Sequence, residues 1–153
     1  MYTPKYFSIE EIFPKNLVKQ GNHKQLWRLM DDRILWTADQ LRKLFGTIII
    51  NDYMWGGKNQ YRGFRDFQAL IDLDYLSEHL DIIPKWSSFT SQHCFGRALD
   101  CKFKNELVQD VRSFIIKNED REEFKYITAI EKEVSWLHID VRNYAGMHRF
   151  FIF

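Results

Sequence analysis

Cysteine is scarce in this chain: Cys94 and Cys101 are the only two among 153 residues, too few for the disulfide framework that small secreted domains rely on. Synthesis in a reducing compartment is therefore expected. Charge of one sign is also missing, because 22 lysines and arginines stand against 21 acidic residues. That balance excludes the broad basic footprint needed to hold phosphate backbones, so nucleic acid is not an expected partner. No segment approaches the roughly 18 apolar residues of a membrane span, and Met1-Tyr2-Thr3-Pro4-Lys5 lacks the basic start and apolar run of a secretory signal. No membrane partner is expected, and a target outside the cytoplasm would require another component for delivery. There is no phosphate-binding glycine loop, internal repeat, linker or low-complexity stretch.

Apolar residues are plentiful, at 45% of the chain, with 16% aromatic. A core can therefore form without staples, and one domain over residues 1–153 is the economical reading. Ser8-Ile9-Glu10-Glu11 places a capping serine three residues before a glutamate, a helix start ahead of Ile12, Phe13 and Pro14. From Leu26 to Phe45 the apolar residues recur at three and four, and Gly46 supplies a stop, which predicts one helix. The helical part thus spans 8–45.

Thr47-Ile48-Ile49-Ile50-Asn51 is a short β-branched run that predicts a buried strand. The glycine-punctuated stretch from Trp55 to Arg65 reads as a loop, 67–80 as helical, and 84–90 as irregular. Ala98 to Phe103 alternates, with Leu99, Cys101 and Phe103 on one face and Ala98, Asp100 and Lys102 on the other. Asn105 is positioned to cap a helix reaching Ile116, with Leu107, Val111, Phe114 and Ile115 on its apolar stripe. Lys125 to Ile130 and Trp136 to Arg142 are the remaining strand candidates, joined by a turn at Lys132-Glu133. The fold class is α+β, a small antiparallel sheet flanked by helices.

The strand Trp136-Leu137-His138-Ile139-Asp140-Val141 turns Leu137, Ile139 and Val141 to one face, as core, and Trp136, His138 and Asp140 to the other, as the floor of a cleft. Upstream, Ser91-Gln92-His93-Cys94-Phe95-Gly96-Arg97-Ala98-Leu99-Asp100 carries a histidine on a turn and an aspartate onto a strand. Two imidazoles and one carboxylate can then converge. Catalytic zinc takes three such ligands and keeps a fourth position for water, whose pKa falls from about 15.7 toward about 7. Peptide hydrolysis uses that acidified water together with polarisation of the carbonyl.

S-Q-H-C-F-G-R-A-L-D resembles the S-x-H-x-x-G-x-A-x-D signature of the zinc D-alanyl-D-alanine carboxypeptidase and phage endolysin family, and W-L-H-I-D resembles its closing W-x-H-x-D. The likeness covers about residues 47–142. It implies a Hedgehog-like α+β fold, one Zn2+ held by His93, Asp100 and His138, a glutamate as general base, and peptidoglycan peptide stems as substrate. It also implies a phage or prophage lysin, kept in the cytoplasm until released onto the cell wall, or a virion component; a monomer is expected. The rival is a non-catalytic Hedgehog-like module that keeps the metal for stability or partner binding.

The sequence departs from the family at one position, since the glutamate usual three residues before the last histidine is Ser135 here. Glu131 and Glu133 remain as candidate bases. Both lie an odd number of residues before His138, so a turn must intervene for either to face the metal. Glu131 ranks first because it can lean across from the neighbouring strand. Gln60-Tyr61-Arg62-Gly63-Phe64-Arg65 resembles the region that holds substrate in the family, and Arg65 is favoured over Arg62 for gripping a carboxylate. Trp136, with Tyr61 and Phe95, is a candidate for the cleft wall, and the stretch from Asp66 to Phe89 for shaping the cleft. Asp140 and Ser91 are expected to orient ligands from outside the metal's contact shell. Cys94 is expected to point away from its neighbour His93, Cys101 to be a buried inert thiol, and His23, His79 and His148 to have solvent-facing or structural roles.

Overall fold

The computed structural model describes residues 1–73, 91–146 and 149–153. Its first helix, α1 (Ile9–Ile12), starts as the sequence indicates: the Ser8 N–H donates to the Glu11 carboxylate at 2.8 Å. Pro14 ends it and precedes α2 (Lys15–Lys19). The long helix expected from Leu26 to Phe45 is broken. A short α3 (His23–Leu26) runs into a 3-10 turn (Trp27–Leu29), Met30 is extended, and α4 (Asp32–Phe45) begins afresh. The break lies at Asp31, whose carboxylate accepts the Arg33 N–H at 3.0 Å and whose own N–H donates to the Gly96 carbonyl at 2.9 Å. A cap that satisfies a free N–H outweighs the unbroken apolar spacing. Gly46, with φ 78, stops α4 as expected.

Five strands form one sheet in the order β1-β2-β4-β3-β5: β1 (Ile48–Ile49), β2 (Ala98–Phe103), β3 (Ala129–Ile130), β4 (Leu137–Asp140) and β5 (Phe151–Ile152). The sheet is mixed, which corrects the antiparallel expectation. β5 runs parallel to β3, with Ala129 opposite Phe151 and Ile130 opposite Ile152, while every other pair is antiparallel. A strand of two residues is too short to show a period of two, so the sequence pattern does not reveal it. β3 is likewise shorter than the expected 125–130, because the turn begun by the 3-10 segment Glu122–Phe124 continues through Ile127, whose N–H donates to the Phe124 carbonyl at 3.0 Å.

α5 (Phe67–Asp72) is capped by Asp66, whose carboxylate accepts the Ala69 N–H at 3.0 Å. The continuation expected to 80, the irregular stretch 84–90, most of the segment proposed to shape the cleft, and His79 and His148 lie outside the described residues. α6 (Val108–Lys117) takes Leu107, not Asn105, as its N-cap. Leu107 is 72% exposed and Phe114 partly so, and Arg112 joins Val111 and Ile115 on the buried side of this helix.

Leu99 and Cys101 of β2 lie opposite Ile139 and Leu137 of β4, and all four are fully buried. Ile34, Leu35, Ala38 and Leu41 of α4, Ile9 and Ile12 of α1, and Val111 and Ile115 of α6 join them in one core. At roughly 1.5–3 kcal/mol per fully buried large apolar side chain, this face holds the central strands in register. The opposite face of the same strands is left for polar groups. No helix among the described residues is long and apolar enough to cross a membrane.

Candidate metal centre

The polar face of the central strands carries a row of three side chains. Asp100 on β2 is paired directly across from His138 on β4. The β3–β4 register, Ile130 opposite Ile139, continues to Glu131, whose N–H donates to the His138 carbonyl at 3.4 Å. Side chains of directly opposed residues share a face, so the hairpin restores to Glu131 the orientation that a continuous strand would deny it. Its Oε2 lies 4.0 Å from His138 Nδ1.

His93 comes to this row from a turn closed by the Arg97 N–H donating to the Gln92 carbonyl at 2.9 Å and the Gly96 N–H to the His93 carbonyl at 3.2 Å. Gly96 adopts φ +64, and a Cβ there would lie 1.9 Å from the Leu29 carbonyl oxygen, so only glycine fits. Gly63 is packed as tightly, with room for no Cβ against the Ile12 carbonyl, and its own carbonyl accepts from His93 Nδ1 at 2.7 Å. That bond assigns the proton to Nδ1 and leaves the Nε2 lone pair facing Asp100 Oδ1 at 3.4 Å.

This nitrogen is buried and has no hydrogen-bond partner. An imidazole lone pair 3.4 Å from a carboxylate oxygen, with no proton between them, lacks the positive charge that would make the contact favourable. Metal–nitrogen and metal–oxygen bonds of roughly 2.0–2.2 Å at a tetrahedral angle put two ligand atoms about 3.4 Å apart. The donor set therefore fits a cation between them. His138 Nδ1 is 2.7 Å from the same Asp100 oxygen, a proton-sharing distance, and each of the three residues offers one ligand atom within 4.8 Å of the others. His93, Asp100 and His138 thus form a buried group that could hold a metal ion.

The surroundings fix this group from behind. Arg65 donates from Nη2 to Asp100 Oδ2 at 3.0 Å and from Nε to the Tyr61 carbonyl at 2.7 Å. The Asp100 main-chain N–H donates to the Arg62 carbonyl at 2.8 Å. Asp140, fully buried, lies 3.4 Å from His138 Nε2 and receives the Arg142 guanidinium, with Nε 2.9 Å from each oxygen. Burial holds the His93 pKa below its usual value, so this imidazole is neutral and ready to donate a lone pair. Burial also opposes charge on Asp100, but the His138 imidazole at 2.7 Å outweighs it and keeps the carboxyl well below the usual carboxylate range. The same burial opposes charge on His138, and there the Asp100 and Asp140 carboxylates prevail, pushing its pKa up to about 9.

A cleft of about 290 Å3 opens beside Asp100, lined among others by Lys58, Tyr61, Arg62, Arg65, Leu73 and Trp136. Arg65 is the arginine pinned to Asp100, while Arg62 Nη1 is buried without a partner. Trp136 Nε1 is also buried and unpaired. Phe95 is 53% exposed and does not line this cleft. Ser91 reaches the described residues only through its carbonyl, which accepts the Cys94 N–H at 2.9 Å. Glu133 is exposed at the tip of the β3–β4 connection, with φ 58.

Neither cysteine belongs to the group that could hold a metal. Cys101 is fully buried on the apolar face, where burial pushes its thiol far up, and Cys94 is half-buried and raised for the same reason. His23 is exposed, with Nε2 3.2 Å from the Val18 carbonyl. Sequence reasoning missed Arg112 and Gly63, whose contacts are described above and below. Neither residue type carries a local signal for a remote main-chain contact. Comparison of the chain with protein-family models, with curated proteins and with solved structures finds no match in any of the three.

Proposed function

We propose that the protein is a zinc peptidase that hydrolyses a peptide bond in bacterial peptidoglycan, with His93, Asp100 and His138 as the metal's protein ligands. The observation that carries this reading is the unpaired His93 Nε2 facing Asp100 Oδ1 in a buried site shared with His138. The order of the two motifs, resembling the carboxypeptidase and endolysin family, supports the choice of zinc and of the cell wall. Zinc bound there supplies Lewis acidity toward a scissile carbonyl and toward a water molecule.

The chain's own groups divide the remaining work. Glu131, 4.0 Å from His138 Nδ1 and partly exposed, accepts a proton from water and returns it to the leaving amine. Arg65 holds Asp100 in one orientation, so gripping the substrate falls to Arg62, which also lines the cleft. Its natural partner is a carboxylate on the residue next to the scissile bond. D-alanyl-D-alanine ends and L-alanyl-D-glutamate links both offer one, so the fork suits either bond. Trp136 walls the cleft. Action on the wall after release from the cytoplasm, as a phage or prophage lysin or a virion component, fits the same reading.

Ser135, exposed where the family that the motifs resemble carries its glutamate, favours a second reading as a non-catalytic metal-holding module. Digestion of purified walls separates the two. A peptidase solubilises them with one new amino group per cut and no new reducing ends, and mass spectrometry of the muropeptides names the bond. Release of reducing ends, or intact walls beside fully zinc-loaded protein, would defeat the proposal.

A further inference from the structure

The connection between β3 and β4, residues 131–136, has little to hold its shape. Among the described residues no main-chain hydrogen bond closes it on itself between Lys132 and Trp136; the Lys132 N–H goes instead to the Phe153 carbonyl at 2.6 Å. Its tip bears Glu133, the one non-glycine residue with positive φ among the described residues. Yet it begins with Glu131, which faces His138, and ends where β4 brings His138 itself to the site.

Arg112 enters this gap from α6. It is 9% exposed on a helix side that otherwise buries Val111 and Ile115. Its Nη2 donates to the Val134 carbonyl at 3.0 Å and to the Trp136 carbonyl at 2.7 Å, bracketing the exposed Ser135. No carboxylate makes an ion pair with it among the described residues, and its Nε has no partner. Burial works against its charge, Glu131 favours that charge only from beyond ion-pair distance, and replacing a buried charged residue with an apolar one of similar length is often neutral or stabilising. Stability alone therefore does not account for an arginine here. Both bonds leave one nitrogen, Nη2, whose two N–H groups are fixed in the guanidinium plane, a constraint that the freely rotating ammonium of a lysine lacks.

We infer that Arg112 is a positioning residue: through the Val134 and Trp136 carbonyls it holds the β3–β4 connection in the one shape that presents Glu131 to the metal centre. This rests on the proposed role of Glu131. Arg112 touches neither substrate nor metal ligand, so its effect is on catalytic rate and not on binding.

The test uses the zinc-loaded full chain and a soluble muropeptide. Arg112→Met lowers kcat about 10- to 100-fold while KM and zinc content stay within twofold, and Arg112→Lys recovers no more than part of the loss. In a Glu131→Gln background the same Arg112→Met change costs less than twofold, because the group it positions is already disabled. An equal loss in both backgrounds, or no loss in the parent, overturns the inference. Amide hydrogen exchange supplies a reading that does not need activity. Arg112→Met speeds exchange tenfold or more at the amides of Glu131 and Lys132, which are bonded to the His138 and Phe153 carbonyls, and leaves the rest of β2 and β4 protected, whereas unchanged exchange at those two amides overturns the inference. Should the parent protein bind zinc and cut nothing, the peptidase reading fails by itself, and the exchange result still judges the clamp.

Discussion

At the scale of single residues, the distinction that matters most is between the two glutamates of the β3–β4 connection. Glu131 is paired across from His138 and its carboxylate approaches His138 Nδ1, whereas Glu133 is exposed at the tip. Glu131→Gln is therefore expected to keep zinc and lose about 100- to 10,000-fold in rate, and Glu133→Gln to stay within about twofold, both read from initial rates on a soluble muropeptide. That Glu131 lies beside His138 was legible from the hairpin, since parity treats Glu131 and Glu133 alike. That Arg65 is the arginine paired with Asp100 was not, because three residues of separation say nothing about which guanidinium meets Asp100. A second expectation concerns pH. With no metal, His138 titrates at about 9, above its ordinary value, so its protonated form contributes stability fully present below roughly pH 6.5 and lost as pH rises through about 9. Asp100, held low, contributes in the opposite sense: its share is lost only as pH falls through the acid range. Thermal unfolding of chelated protein should thus show Tm falling between pH 7 and 9.5. Saturating zinc should remove most of that fall, since the metal takes the proton's place. A flat profile in chelator would show that His138 and Asp100 do not share a proton.

Among the elements, the turn that carries His93 depends on a residue three positions on. Gly96→Ala forces a side chain into left-handed backbone and against the Leu29 carbonyl. The backbone penalty alone is of order 1–3 kcal/mol, and moving the turn also moves His93. The variant is expected to unfold at a lower temperature and to bind zinc at least about tenfold more weakly, as followed by calorimetry and by competition with a chromophoric chelator. Normal affinity with normal stability would show that the turn does not depend on this glycine. The motif read from the sequence already placed a glycine after His93, and β2 matched its expected bounds because six alternating residues suffice to show a period of two. The longer helix was misread for an equally physical reason. Its apolar spacing continues through Met30, and only the capping carboxylate of Asp31 and a bond to the distant Gly96 carbonyl interrupt it. Periodicity cannot see a contact 65 positions away, and the same holds for β5, whose two residues become a strand only beside β3.

For the whole molecule, the sheet divides the labour, with an apolar face against α1, α4 and α6 and a polar face carrying the row Asp100, His138 and Glu131. That division was legible in the alternation of β2 and β4, while the mixed order of the sheet was not. Because His93, Asp100 and His138 come from a turn and two strands separated in sequence, a metal that binds them binds only the folded chain. Zinc at one hundred times its dissociation constant then stabilises by about 2.7 kcal/mol, or roughly 5–11 °C in Tm for a chain of this size. A change in Tm near zero would place the metal elsewhere or nowhere. The most direct test is an anomalous difference map recorded at the zinc edge from crystals of the zinc-loaded protein. The account predicts a single strong peak bounded by His93 Nε2, Asp100 Oδ1 and His138 Nδ1; no peak there, or a peak held by other side chains, would contradict it.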